Sequence, residues 1–396
     1  MIAQVKQEGL LLTIEELDAW FATQDCFTEP AVFRLEQLVD GKRSLWLDVF
    51  INNKKHTITG SVPEDLLENL VKSATYRALL LEPLKRKLET LVVMSFYERH
   101  YERVSFGKFN DLKYKTREKE KSNKCRFCQK RSPEVTFKSI AHAVPESIGN
   151  KYIFCPTECD TCNKFFGSTI ENEFGKWSKQ HRTLAQVSGK GGIPQLGRSD
   201  GSWNIKCIGD TTQIKVTDDY QMFEYDEAAN KINLSIVMES FVPQAVYKTF
   251  CKMALSLAEE SDLPHLSKIS NWVLDPDHTK PAPVNRANIV ETFYEGSRPL
   301  GWGGVELLRR RSDEQDKPFY TLIVAFGLFC YQIGLPKDTD AQQAEFNVPP
   351  FSSSMMNFSD WKSTINVLDF SSGIDFAKGP AKELKSLDAN RTEVQF

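Results

Sequence analysis

The sequence predicts an α+β protein in which a small ββα module, residues 109–185, lies between two mixed α+β domains, 1–108 and 186–396. Three observations predict it. With 396 residues the chain exceeds what one compact core usually serves, so it should divide into domains. Stretches of period two are interleaved with stretches of helical period along its length. Two Cys-x-x-Cys pairs, Cys125/Cys128 and Cys159/Cys162, bracket one short segment in the middle. Hydrophobic residues make up 41% and charged residues 26%, the balance of an ordinary globular protein. The net charge is −3, so any affinity for nucleic acid must come from a local patch. The start, "MIAQVKQEGLLLTIEELDAW", carries acids where a cleavable leader would be basic and then apolar. The longest apolar run, "LIVAFGLFCY" at 322–331, is too short to span a bilayer and reads as core. The expectation is a cytoplasmic chain with reduced cysteines, whose clustered thiols are metal ligands rather than disulfides.

The elements follow in order. "TIEELDAWF" places Thr13 as an N-cap with Glu16 three residues on, so a short helix should start there. From 31 to 62 apolar and polar residues alternate, with breaks at Asp40-Gly41 and Asn52-Asn53, which predicts a three-stranded meander. Two helices should follow, the second beginning at Glu82-Pro83 and running through "YERHYERV". This first domain carries no catalytic pattern and reads as a scaffold or interaction domain. "KYKTREKEKSNKC" is a basic linker, either a solvated tether or an approach for phosphates. Past the cysteines, "VSGKGGIPQLGRSDGSWN" should be a flexible loop. "INLSIVME" alternates like a strand. Pro243 then opens a helix whose Val246, Phe250, Met253 and Leu257 form one apolar face. "GVELLRRRSDEQDKPFYTLIVAFGLFCYQIGLP" reads as a hairpin with a fully buried second strand, and the tail after about 350 has only a weak pattern.

The middle module carries the chemistry. Two residues between paired thiols let both sulfurs of a tight turn face one ion. Two such turns complete the tetrahedral S₄ shell that Zn²⁺ accepts. Four thiolates leave no open position, so this zinc is structural. Cys155 lacks a partner at the right spacing and is read as a non-ligand. Between the pairs, "VTFKSIAHAVP" reads as a strand, "PESIGNK" as a turn with Gly149-Asn150 at its tip, and "YIF" as the returning strand. After Cys162, "NKFFGSTIENEFGKWSKQ" reads as one helix, with Phe166, Ile170 and Phe174 at steps of four.

The segments "CRFC", "HAVPESIG" and "CDTCNKFFGSTIE" stand in the order Cys-x-x-Cys, His-x-x-Pro-Glu-x-x-Gly, Cys-x-x-Cys-Asn-x-x-Phe-Gly-x-x-Ile-Glu. This resembles the HNH endonucleases, the zinc-stapled ββα-metal nucleases, over roughly residues 123–180. The flanking domains resemble nothing familiar. The resemblance implies a metal-dependent nuclease. His142 matches the general base that takes a proton from water. Asn163 matches the last letter of the motif, a ligand to a catalytic Mg²⁺ or Mn²⁺ or to its water shell, although Asn also serves as a helix cap. Asn150 matches the middle Asn, which orients the loop, although beside Gly149 it could supply turn geometry alone. Glu171, two turns past Asn163, is a carboxylate for the ion. Many relatives carry Asp or Glu just before the base; here Ala141 stands there, so Glu146 or Glu171 would take that place. Lys124, Arg126, Lys130 and Arg131 are the residues expected to meet nucleic acid.

The resemblance implies DNA as substrate and leaves RNA open, since the chemistry acts on phosphodiesters in general. Such modules often act in restriction or anti-phage defence, and the flanking domains would then recognise a target, bind a partner or form a homo-oligomer. A zinc module that binds nucleic acid without cutting it is the competing reading, favoured by Ala141.

Overall fold

The computed structural model describes residues 4–7, 10–13, 27–39, 42–51, 53–63, 74–114, 116, 123–209, 211–216, 223–226, 231–237, 239–295, 303–340, 348–351, 362–374, 382–388 and 392–395. These residues form a mixed α+β structure with five α-helices and four sheets. Among them, no helix is long and apolar enough to cross a membrane. Contacts divide the chain into two compact units, Met1–Tyr101 with Pro349–Trp361, and Glu102–Val348 with Lys362–Phe396.

In the first unit, the expected meander is present as antiparallel strands Phe27–Val39, Lys42–Ile51 and Lys54–Pro63. Asn53 adopts φ 62° in the second turn, a backbone state that Asn tolerates. Gln4–Gln7 adds in parallel to the first of these strands and pairs antiparallel with Leu10–Thr13. The helix expected after Thr13 lies outside the described residues. Helix α1 (Ala74–His100) is continuous, so Pro83 lies inside it instead of opening it. The helical pattern on both sides of Pro83 outlasts the loss of one N–H donor. The helix also stops at His100. "YERVSFGK" leaves it as a strand, Tyr101–Lys108, because its aromatic and β-branched residues suit a sheet.

In the second unit, a six-stranded sheet runs in the order Lys362–Asp369, Asn288–Glu295, Phe329–Leu335, Tyr320–Phe326, Gly304–Arg310, Tyr101–Lys108. The expected hairpin is therefore a three-stranded meander. Gly327, at φ 62°, turns the chain between the last two strands, and every residue of Tyr320–Phe326 is buried. The supposed flexible loop is partly a hairpin: Leu196–Gly197 pairs with Trp203–Ile208, and Leu196 is buried. "INLSIVME" forms the strand Lys231–Val237, and the weak tail supplies Lys382–Asp388 and Thr392–Gln395.

Helices α2 (Asp160–Ser168) and α3 (Ile170–Leu184) follow the second cysteine pair, and α4 (Pro243–Leu257) and α5 (Ser267–Val273) come later. Pro243 opens α4 as expected, but α4 has no solvent face: Pro243 through Ser256 are all buried. Trp177 of α3 packs its ring against Phe174, Phe250 of α4, Tyr331 of the sheet and Phe370, with centroids 5.0–5.9 Å apart. The cysteine module thus shares one core with α4 and the six-stranded sheet.

Candidate active site

The four thiols of Cys125, Cys128, Cys159 and Cys162 gather within 4.8 Å of one another. The Cys125–Cys162 and Cys128–Cys159 sulfur pairs are each 3.8 Å apart. A tetrahedron with Zn–S bonds of about 2.3 Å has edges of about 3.8 Å, so the cluster has the dimensions of a tetrathiolate zinc site. The hydrogen bond with Cys162 holds Cys125 down to about 4, whereas burial pushes Cys159 up to about 11. A divalent cation is what lets four crowded thiols ionise together. Cys159 also caps α2, its sulfur accepting from the Cys162 N–H at 3.5 Å. Cys155 is buried outside the cluster, 3.8 Å from the Thr157 hydroxyl.

The ββ part is shorter than expected. One antiparallel bridge, His142↔Phe154, is flanked by Ala143 N–H to Ile153 O at 3.1 Å and Cys155 N–H to Ala141 O at 2.8 Å. Residues before it are drawn off the ladder by Asp160, whose carboxylate accepts from the Thr136 hydroxyl and from the N–H groups of Lys138 and Ser139. The His142 ring is half-buried and stacks on Phe154, with centroids 5.0 Å apart and planes at 28°. Its ring nitrogens have no hydrogen-bond partner among the described residues. Burial lowers its pKa below the usual 6.5; Lys252 adds to that, and the charge of Glu146 opposes it. The imidazole is therefore neutral at pH 7, as a proton acceptor must be.

Asn150 is 0% exposed and spends its whole side chain on the loop. Nδ2 donates to Val144 O at 2.7 Å and Ile153 O at 2.8 Å, while Oδ1 accepts from the N–H groups of Tyr152 at 3.2 Å and Ile153 at 2.9 Å. No donor or lone pair remains for an ion or a substrate. Its work is to hold the two strands on either side of His142. Gly149 before it takes φ 93°, closing the 3-10 turn Glu146–Ile148.

Asn163 lies in the first half of α2, and since Cys159 is the cap, Asn163 is not. Its side chain is part-exposed and unpartnered among the described residues. Glu171 does not continue the same helix. Thr169, at φ −115° and ψ −92°, separates α2 from α3 and donates its hydroxyl to Phe165 O at 2.7 Å. The packing residues Phe166, Ile170 and Phe174 are nonetheless all buried. Glu146, the other candidate carboxylate, opens the 3-10 turn and is part-buried. Ala141 is 2% exposed, so a carboxylate at that position would enter the core.

The basic residues separate. Arg131 is exposed, and Lys124 is part-buried with its main chain bridged to Arg131. Lys130 pairs with Glu134 on the surface. Arg126 departs from expectation: its guanidinium donates to Ser256 O at 2.6 Å and Ala258 O at 2.8 Å, at the C-terminal end of α4. Those are the carbonyls a helix end leaves unsatisfied, so Arg126 serves as a cap and not as a phosphate contact.

Residues 125–178 match the HNH endonuclease family. No curated protein and no solved structure matches the chain. The HNH match spans both knuckles, His142, Asn150, Asn163 and Glu171. It ends before Lys252, which lies in α4 beneath the HNH site. Lys252 donates to the His142 carbonyl at 2.6 Å and pairs with Glu171 Oε1 at 3.1 Å and Glu158 Oε2 at 3.2 Å. Sequence reading did not find Lys252 or Glu158. The available signal was two lysines, Lys248 and Lys252, one turn apart in an otherwise uncharged helix.

Proposed function

We propose that the chain is a metal-dependent endonuclease that hydrolyses DNA phosphodiester bonds. The observation that carries this reading is the neutral, unpartnered imidazole of His142, held on a bridge beside a tetrathiolate staple inside an HNH module. Among the described residues, only the four thiols gather as a ready cage of His, Cys, Asp or Glu ligands. That suits Mg²⁺ or Mn²⁺, which take one or two protein oxygens and complete their shell with water and substrate phosphate. Asn163, Oε2 of Glu171 and Glu146 are the oxygens in question. Such a cation, when bound, neutralises charge on the phosphate and on the departing oxygen.

The rest falls to the chain's own residues. His142 accepts the proton of a water through a ring nitrogen. The water oxygen bonds to phosphorus, and the bond from phosphorus to the 3′-oxygen breaks. Phe154 fixes the ring plane by stacking, and Asn150 fixes the main chain beneath it. The test is incubation of the purified protein with supercoiled plasmid and with RNA, in Mg²⁺ or Mn²⁺, with and without EDTA, beside His142→Ala. Nicked or linear plasmid that requires both the metal and His142 is the expected result. Cleavage of RNA alone would change the substrate class.

Ala141 favours a second reading, a zinc module that grips nucleic acid without cutting. It predicts salt-sensitive binding that survives His142→Ala and no turnover with any metal. With Arg126 committed to α4, the basic surface for it is smaller than the sequence suggests. A role in anti-phage defence rests on analogy with how such modules are used. If wild type and His142→Ala, expressed in a bacterial host, gave identical phage plating and growth, that role would be abandoned.

A further inference from the structure

Lys252 is 0% exposed in a helix that is buried from Pro243 to Ser256. Its ammonium has three N–H groups and faces three acceptors, the His142 carbonyl, Glu171 Oε1 and Glu158 Oε2. The Glu158 contact is one of charge without hydrogen-bond alignment. The Phe166 ring lies 5.7 Å from Nζ. Burying such a cluster costs more desolvation than a well-packed apolar side chain would, so packing alone does not account for it. The three acceptors come from the strand of the base, the residue before the second cysteine pair, and the start of α3. They have no sequence neighbourhood in common, and Lys252 is the group that joins them.

We propose that Lys252 is a positioning residue of the nuclease site: from a helix outside the family match, one ammonium fixes the main chain that carries His142 and ties one oxygen of Glu171, leaving only Oε2 for a cation. This rests on the nuclease reading given above. Lys252 touches no substrate, so it acts through His142 and Glu171. Its charge also reaches the His142 ring. Burial disfavours the imidazolium most; among the charges, Lys252 and Lys190 disfavour it, and Glu146 and Glu171 favour it. Loss of the Lys252 cation should therefore move His142 titration to higher pH.

The experiment uses the full-length chain and Lys252→Met, with zinc content and thermal unfolding recorded for both. Lys252→Met strands the buried Glu158 carboxylate, so Glu158→Gln/Lys252→Met accompanies it and keeps the test open if the single variant fails to fold. The expected result is one zinc per folded chain and a kcat on plasmid lower by roughly 100-fold, the order set by displacement of a reacting group by about 1 Å. KM should be unchanged, and the His142 imidazole resonance should titrate at higher pH. A folded, zinc-loaded variant with wild-type kcat and an unmoved His142 titration overturns the proposal. Absence of turnover by the wild type on both DNA and RNA would overturn the nuclease reading instead. In that case a shift of the His142 titration in Lys252→Met retains only the link that the hydrogen bond from Lys252 to the His142 carbonyl makes, and an unmoved curve overturns that link as well.

Discussion

Asn150 spends its whole side chain on the loop around His142. Four hydrogen bonds bind it to three residues flanking the turn, and two of those residues, Val144 and Ile153, sit beside the bridge of His142 and Phe154. Asn150→Ala would leave the Val144 carbonyl and the N–H groups of Tyr152 and Ile153 without partners, while Ile153 O would keep only the Ala143 N–H. The expected loss is about 3 kcal/mol of stability, read from the urea midpoint at constant slope. His142 predicts a pH profile. Burial holds its pKa below 6.5, and a general base works only when deprotonated. Cleavage should therefore rise with pH to a half-maximum below 6.5 and stay flat through neutrality; a half-maximum above 6.5 would show a different group titrating. These residues were legible in the sequence because their partners are local: Asn150 reaches residues 144 to 153. Lys252 lies 110 positions from the carbonyl it holds, and nothing in periodicity or spacing reports such a pair.

At the scale of elements, the legible part was whatever one segment decides for itself. The meander, the knuckles and the start of α4 at Pro243 follow from turn residues, thiol spacing and a helix-opening proline. The break at Thr169 was not legible, because "FFGSTIENEF" keeps its apolar spacing straight through it. The role of Arg126 was hidden for a similar reason: a basic residue inside a knuckle looks the same whether it faces phosphate or the end of a distant helix. The two arginines of this knuckle should consequently behave differently. Arg126→Ala removes two charge-assisted bonds to the α4 terminus, which should cost about 2 kcal/mol of stability. It should leave the salt dependence of nucleic-acid binding unchanged. Arg131 is exposed, and Arg131→Ala should cost little stability but reduce the slope of log affinity against log salt by about one. Fluorescence anisotropy across a salt series measures both slopes; equal reductions would return Arg126 to the binding surface.

For the molecule as a whole, the question is whether the HNH module is a separate piece. Small zinc modules often fold once their metal is bound, since the metal replaces the core they lack. This one has a core, but it is shared with other elements. Trp177 lies against Phe250 and Tyr331, Phe174 against Phe250, and Lys252 rises from α4 into the base strand. At the other end of α4, Arg126 holds the last carbonyls, and Arg309 of the sheet pairs with Glu259 and Asp262 just beyond them. Cut out as residues 123–185, the module would expose Trp177 and Phe174 and strand Glu158 without its cation. Such a fragment should bind zinc through its knuckles yet fail to form α3. Its only tryptophan is Trp177, so the measurement is simple. Emission of a fully exposed indole after zinc addition, with low helix content by circular dichroism, is the expected result. A shielded indole and a cooperative thermal transition in the zinc-loaded fragment would show that the module folds alone. The shared core would then be a docking arrangement and not a condition for the site to form.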